Sequence, residues 1–381
     1  GALNLKPKIT FHKPIDEFLI SLARELKTRA IGIVLSGTGT DGTEGLKFVK
    51  GEGGITFAQE PNSAQYPDMP RSAISAEAVD FVLPPEKIAE ELFRIAQHPE
   101  IIRPKIEPSE PQITENGTDI QKIFTLLKAS FGVNFANYKK STTNRRITRR
   151  MVLNKIETNK KYVAYLRTHQ DELQALFEDL LIGVTGFFRE PDTFTVLREQ
   201  VFPAFIERKM PNQPIRVWVP GCSTGEEVYS IAIAIEEFLE EKNIVDLQIQ
   251  VFGTDVNAKN VDKARRGIYL KTIEDSVSKE RLERFFSSIN GNFQVVKQIR
   301  DMCIFAKHDL TSDPPFSNLD LIVCRNLLIY FDAKLQEKIL PIFHYGLRSK
   351  GFLVLGESES VGKFTNMFEP LTKKGVVFQK K

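Results

Sequence analysis

Apolar positions change their spacing twice along the chain. Over the first hundred residues, helical spacing and short β-branched runs take turns. Ile15, Phe18, Leu19, Leu22 and Leu26 share one face of a helix expected over 14–28, and strands are expected over 30–35 and 55–59. From 120 to about 182 the pattern is helical throughout, with short polar joints. Beyond 214 strands and helices alternate again. Ile215, Val217 and Val219, with Trp218 among them, form an apolar run between Pro214 and Pro220, which predicts a buried strand. Gly221 and Gly225 then frame a turn. Glu226 and Glu227 open a helix whose apolar positions are Val228, Ile231, Ala232, Ile235, Phe238 and Leu239. Further strands are expected over 247–253, 304–306, 319–323, 352–355 and 376–379, with a hairpin signal at Gly291-Asn292. Strands alternating with helices imply an α/β fold around a parallel sheet.

Composition narrows the class. Apolar residues make up 41% and charged residues 27%, values of a soluble globular protein with room for several cores in 381 residues. No apolar run reaches membrane-spanning length and GALNLKPK lacks the core of a signal peptide, so a cytoplasmic protein, not embedded in a membrane, is expected. The three cysteines and five histidines are scattered, which suggests neither a disulfide framework nor a metal site. A net charge of +3 gives no reason to expect nucleic acid. Residues 98–117 carry Pro99, Pro104, Pro108 and Pro111 and read as a linker.

Charge becomes informative only locally. No acidic residue occurs between Asp119 and Glu157, whereas Lys139, Lys140, Arg145, Arg146, Arg149 and Arg150 cluster there. The four arginines sit at helical offsets that share one face. A solvated face and a docking surface for an acidic partner are both open at this point.

Three glycine-rich or acidic segments carry possible chemistry. Gly37 to Gly42 matches G-x-G-x-x-G after a strand, with Glu60 at the end of the next strand, as in a dinucleotide fingerprint; the helix that follows is barely two turns long before Gly51, Gly53 and Gly54 interrupt it. Gly221-Cys222-Ser223-Thr224-Gly225 matches the serine hydrolase elbow G-x-S-x-G. Asp309 and His344 supply the chain order that a triad would need, but His344 lies in a helical run. The same turn followed by a helix N-terminus also builds a nucleoside site, and Asp255, at the end of the second strand, stands where ribose hydroxyls are held.

Motifs taken together point further. SGTGTDGTEGL, AQEPNSAQYPDMPRSAI and AVDFVLPPEKIAEEL resemble the C-terminal part of the chemotaxis receptor methylesterase (CheB) domain. The resemblance implies that Asp41 is the acid of an esterase triad whose serine and histidine segments are not in this chain, so residues 1–97 are expected to be an inactive partial α/β esterase domain. VTGFFRE, VWVPGCSTGEEVYSIA, FGTDVNAKNVDKARRGIY, FAKHDL and DLIVCRNLLIYFD resemble the chemotaxis receptor methyltransferase (CheR) family, over about 118–381. That resemblance implies a Rossmann-like class I methyltransferase fold over 186–381, preceded by a small all-α docking subdomain over 118–185 and carrying an inserted β-hairpin subdomain near 285–305.

The resemblance also implies an activity: S-adenosylmethionine-dependent methylation of receptor glutamates, with S-adenosylhomocysteine as product. The cofactor contacts it implies are Thr185, Arg189, Glu226, Asp255, Asp309, Leu310, Arg325 and Asn326, with Arg189 and Tyr330 at the transfer site. Gly183 departs from the family, many of whose members carry asparagine there. The implied partners are an acidic helical segment of a chemoreceptor, docked on the basic cluster, and a receptor tail at the hairpin. A cofactor-binding interaction module with incidental turnover is the alternative reading. An ionised glutamate, with an ordinary pKa of about 4.3, needs no general base to act as nucleophile.

Overall fold

The structure is a computed structural model that describes residues 13–98, 115–181, 183–207, 213–244, 247–372 and 376–381. Most of the expected linker, 99–114, lies outside the described residues. The chain divides into two compact units: Gly1–Leu126 with Thr143–Val184, and Leu127–Thr142 with Thr185–Lys381. Residues 143–184 of the helical region therefore fold together with the N-terminal segment.

In the first unit, α1 (Pro14–Leu26) opens on a proline, where a missing N–H costs nothing. Strands β1 (Ile31–Val34), β2 (Ile55–Gln59) and β3 (Phe81–Leu83) pair in parallel in that order. Helices α2 (Thr43–Gly51) and α3 (Asp68–Ser75) connect them, and α4 (Pro85–Ala96) follows. Leu19, Leu46, Val49 and Ala73 form one core. After them come α5 (Glu115–Phe131), α6 (Lys140–Leu153), α7 (Asn159–Thr168) and α8 (Gln170–Leu180).

A second core of this unit joins Ile55, Phe57, Ile88 and Ile95 to Val152 of α6. Here the arginine face expected to meet an acidic partner is turned inward. Arg146 donates to the carbonyls of Lys50 (2.6 Å) and Gly51, and Arg149 donates to the carbonyl of Gly54 (2.9 Å) and to the carboxylates of Asp80 and Asp179. Arg145 pairs with Glu52 at 3.5 Å and Arg150 with Glu172. The offsets correctly placed the arginines on one face, but periodicity cannot say whether protein or water covers it. The N-terminal segment covers it, and of the six basic residues Lys139 and Lys140 are the exposed ones.

The second unit is built on a mostly parallel sheet of seven strands. Its strands are β4 (Ile215–Pro220), β5 (Ile249–Asp255), β9 (Cys303–Lys307), β10 (Leu319–Cys324), β11 (Leu347–Leu355), β12 (Phe368–Pro370) and β13 (Val377–Lys380), in the order β12-β13-β11-β10-β4-β5-β9. The last two strands close one edge antiparallel. Before the sheet run α9 (Pro191–Val196), a π turn and α10 (Phe202–Glu207); α11 (Glu226–Glu241) and α12 (Ala258–Arg266) connect its strands, with α15 (Ala333–Gly346) before β11.

A small sheet is inserted between β5 and β9. It comprises β6 (Ile268–Tyr269), β7 (Phe286–Ile289) and β8 (Asn292–Val295), accompanied by α13 (Lys279–Phe285) and α14 (Lys297–Asp301). Asn290 and Gly291 both have positive φ, 48° and 77°, as a two-residue hairpin turn of the primed type requires. The hairpin pairing ends at Val295. Residues 303–307, expected within the hairpin span, instead join the main sheet, where Phe252 pairs with Ile304. Their half-buried alternation had the period of a hairpin arm because β9 is an edge strand of the large sheet.

Candidate functional site

The parallel strands β4, β5, β9 and β10 all deliver their carboxyl ends to one rim. Chain order reverses between β4 and β10, the switch point at which open α/β sheets leave a crevice. Residues 221–225 follow β4 there, and Gly221, Ser223 and Gly225 all have positive φ (68°, 49° and 98°). A Cβ on Gly225 would stand 2.8 Å from the Ala264 methyl, so only glycine lets this turn lie against α12. The turn delivers Glu226 to the first position of α11, where a carboxylate complements the positive end of the helix. Thr224 Oγ1 donates to both Glu226 oxygens, at 2.9 and 2.7 Å.

Asp255, at the end of β5, ties the rim together. Its Oδ2 accepts the Ser223 N–H (2.9 Å) and its Oδ1 the Asn257 N–H (2.8 Å), while its carbonyl accepts the N–H of His308 after β9 (3.0 Å). Burial raises its pKa above the ordinary carboxylate value, and the backbone N–H groups of Asn257 and Ser223 oppose that shift. After His308, Asp309 accepts from the backbone N–H and the hydroxyl of Thr311, at 2.8 and 2.7 Å, and Leu310 is buried.

Arg325 follows β10 and is almost wholly enclosed, with 2% of its side chain exposed. Nη1 donates to Glu227 Oε1 at 2.6 Å; Nη2 donates to Glu190 Oε2 at 2.8 Å and to the Arg189 carbonyl at 2.6 Å. Burial works against the guanidinium charge, but Glu227 and Glu190 outweigh it and hold its pKa above the usual arginine value. This side chain, named above among the expected cofactor contacts, fixes the segment 188–190. That segment holds two non-glycine residues at positive φ, Phe188 (49°) and Glu190 (56°), which only a well-braced loop sustains. Phe187 and Phe188 are buried. Phe187 meets Tyr269 edge-on at 4.8 Å, and the Arg281 guanidinium lies 3.8 Å from the Phe188 ring centroid. Thr185 is half-buried, and the Arg189 side chain, 37% exposed, extends from this braced loop.

Asn326 also has positive φ (57°), and its backbone N–H donates to Glu359 Oε2 at 2.9 Å. Glu359 also accepts from Gly356 N–H (2.7 Å) and Ile329 N–H (3.2 Å), and so links the end of β11 to the loop that carries Tyr330. The sequence reading missed Glu359, Glu227 and Glu190. The signal for Glu227 was its place beside Glu226 at the helix start; Glu190 is marked only by the distant Arg325 guanidinium and Glu359 only by the backbone N–H groups it serves.

The competing chemistries find no support in this geometry. The Ser223 hydroxyl is buried without a hydrogen-bond partner among the described residues, so no base activates it. His344 lies within α15 with its ring 5.6 Å from that of Phe368. In the first unit, Asp41 accepts the backbone N–H groups of Ile15, Asp16 and Gly42, at 3.2, 2.9 and 2.9 Å, and so caps α1. Gly42, in the fingerprint-like loop, is packed so that a Cβ would stand 2.8 Å from Val34.

Three family models match the chain: CheB methylesterase over 2–92, the all-alpha domain of CheR methyltransferase over 118–181, and the CheR methyltransferase SAM binding domain over 183–377. The uncharacterized 104.1 kDa protein of Rhodobacter capsulatus is 36% identical across 96% of this chain, which spans 40% of that protein. Chemotaxis protein methyltransferase 2 of Vibrio cholerae is 30% identical over 68% of this chain and 90% of its own length. Among solved structures, the Thermotoga maritima CheB methylesterase catalytic domain is 35% identical, covering 24% of this chain and 48% of its own, with a TM-score of 0.23. No helix of the described residues is long and apolar enough to cross a membrane.

Proposed function

Because the chain belongs to the CheR methyltransferase family, we propose that it forms methyl esters on glutamate side chains of a chemoreceptor-type protein. S-adenosylmethionine is the cofactor of its 183–377 domain. The observation that carries the reading is the rim itself. A glycine turn, the Glu226 carboxylate at a helix start and the Asp255 carboxylate at the next strand end share one rim, where the buried Ser223 hydroxyl has no hydrogen-bond partner among the described residues. An orphaned hydroxyl inside a polar rim suits a ligand that brings its own polar groups.

When bound, the cofactor supplies a methyl group on a sulfonium whose departure leaves a neutral thioether. The residues divide the remaining work. Glu226 would take the cationic amino group, Asp255 the ribose hydroxyls, and Asp309 with Leu310 the base. Arg189, held by Arg325 through its backbone, and Tyr330 would orient the acceptor carboxylate. The acceptor is already ionised at neutral pH, so rate comes from alignment and exclusion of water rather than proton removal. Thr185 and Asn326 shape the same rim. A receptor tail would add as a strand to the β7–β8 hairpin.

We assign the esterase-like segment a supporting role. Asp41 is engaged as a helix cap, and the carbonyls of Lys50 and Gly54 accept from the α6 arginines. Methyl transfer from labelled S-adenosylmethionine to an acidic helical receptor fragment tests the main reading. Base-labile radiolabel on glutamate is expected, without hydrolysis of a glutamyl methyl ester. Absence of S-adenosylhomocysteine binding by calorimetry would overturn it.

A further inference from the structure

The all-alpha family region contributes one short segment, residues 127–142, to the second unit. Within it, Phe135–Asn137 forms a 3₁₀ turn capped by the Asn134 side chain. The next residues clip onto the loop after β10 as a two-residue antiparallel bridge. Lys139 N–H donates to the Tyr330 carbonyl (2.9 Å), Asp332 N–H donates to the Asn137 carbonyl (3.0 Å), and Tyr138 pairs with Phe331 between them. The Tyr138 ring stands edge-on to Phe331 at 5.1 Å and tilts over Phe135 at 4.9 Å. It packs on the cluster that contains Leu310, Phe331 and Trp218.

Both ends of this tyrosine are informative. The ring is fixed by backbone hydrogen bonds on either side and by two aromatic neighbours, so its position does not depend on rotamer choice alone. The residue is half-buried, and its hydroxyl takes no hydrogen-bond partner among the described residues, which leaves it open to a ligand. Burial raises the phenol pKa, and the carboxylates of Asp309 and Asp255 raise it further, which puts the hydroxyl within the field of both rim acids. A phenol packed on the cluster that holds Leu310 and bridged to the loop that carries Tyr330, with its hydroxyl unpaired among the described residues, is available to a ligand on this rim.

We propose that Tyr138 is a wall of the nucleoside pocket and that its hydroxyl hydrogen-bonds to the nucleoside bound between Asp255 and Asp309. The inference rests on the cofactor reading given above and adds to it a contact from outside the cofactor-binding motifs. It also gives residues 127–142 a function: the clip brings a pocket residue to the same loop that carries Tyr330.

Calorimetry with S-adenosylhomocysteine on the full chain tests this, comparing wild type with Tyr138→Phe, which keeps the ring and its aromatic contacts. The hydroxyl's removal is expected to weaken binding on the order of tenfold, with the thermal midpoint of the free protein unchanged. Equal affinity in the two proteins would overturn the proposal, as would a weakening matched by a lower midpoint of the free protein, which is the mark of a packing role. Failure of the wild type to bind would instead strike the cofactor reading itself.

Discussion

The Arg149 guanidinium meets both carboxylate oxygens of Asp80, at 2.5 and 2.6 Å, with side chains only 1% and 5% exposed. Asp179 takes another face of the same guanidinium. Burial opposes the Arg149 charge, but the two acids outweigh it and hold its pKa above the ordinary arginine value. Removing one partner of such a group leaves a buried charge unpaired, which costs about 3–5 kcal/mol. Arg149→Ala is therefore expected to destabilise the first unit by that amount in urea denaturation. Asp80→Asn, which keeps a hydrogen-bond acceptor, should cost less. Equal stability of Arg149→Ala and wild type would mean that the esterase-like segment and α6 do not share a core.

That pairing marks the limit of what the sequence disclosed. The run of β-branched residues at 215–219 and the apolar run at 319–323 gave the buried strands, and the glycine turn after the first and Arg325-Asn326 after the second gave the rim, because strand burial and turn geometry are local properties. The partners of charges are not local. Asp80 and Arg149 are 69 positions apart, and Glu227 and Arg325 are 98 apart. Arg145, Arg146, Arg149 and Arg150 announced a shared face, yet whether water, a receptor or the chain's own N-terminal segment lies on it depends on tertiary packing. Tyr138 was invisible for a related reason: its role depends on a two-residue bridge to a loop nearly two hundred residues downstream.

A pH effect follows from Asp16. Burial raises its pKa to about 6, the Gly45 N–H and Lys13 oppose the rise, and Asp41 and Glu44 add to it. The folded state therefore holds the proton more tightly than the unfolded chain. The stability this group contributes is fully present below about pH 4 and is lost as pH rises through about 6. The change amounts to at most about 3 kcal/mol. Asp16→Asn can still accept the Gly45 N–H, at 2.7 Å in the wild type. Denaturation from pH 4 to 7.5 should show a falling trend in the wild type that flattens in the variant. A parallel pair of curves would remove Asp16 as the source.

Asp41→Ala separates a structural acid from a catalytic one. The carboxylate caps α1 through Ile15 and Asp16, and losing an N-terminal cap costs about 1 kcal/mol. A thermal midpoint lowered by a few degrees is expected, with no change in glutamyl ester hydrolysis, which should be at background in both proteins. Loss of a measurable hydrolytic rate in the variant would return Asp41 to catalysis.

The brace beneath Arg189 gives the sharpest kinetic signature. Glu227 holds Arg325, and Arg325 in turn holds the Arg189 carbonyl and the Glu190 carboxylate in a loop with two residues at positive φ. Glu227→Gln keeps the size and one hydrogen bond but removes the charge, so the loop should loosen without unfolding. Glu227 touches neither the Asp255 carboxylate nor the Thr224–Glu226 contact, so affinity for S-adenosylhomocysteine should change less than about threefold. The kcat for methyl transfer should fall by roughly 10- to 100-fold, since a displacement on the order of 1 Å at a reacting group costs that much. A variant that lost cofactor affinity and kcat together would place Glu227 in the cofactor pocket; one that kept full kcat would show that the position of Arg189 does not govern transfer.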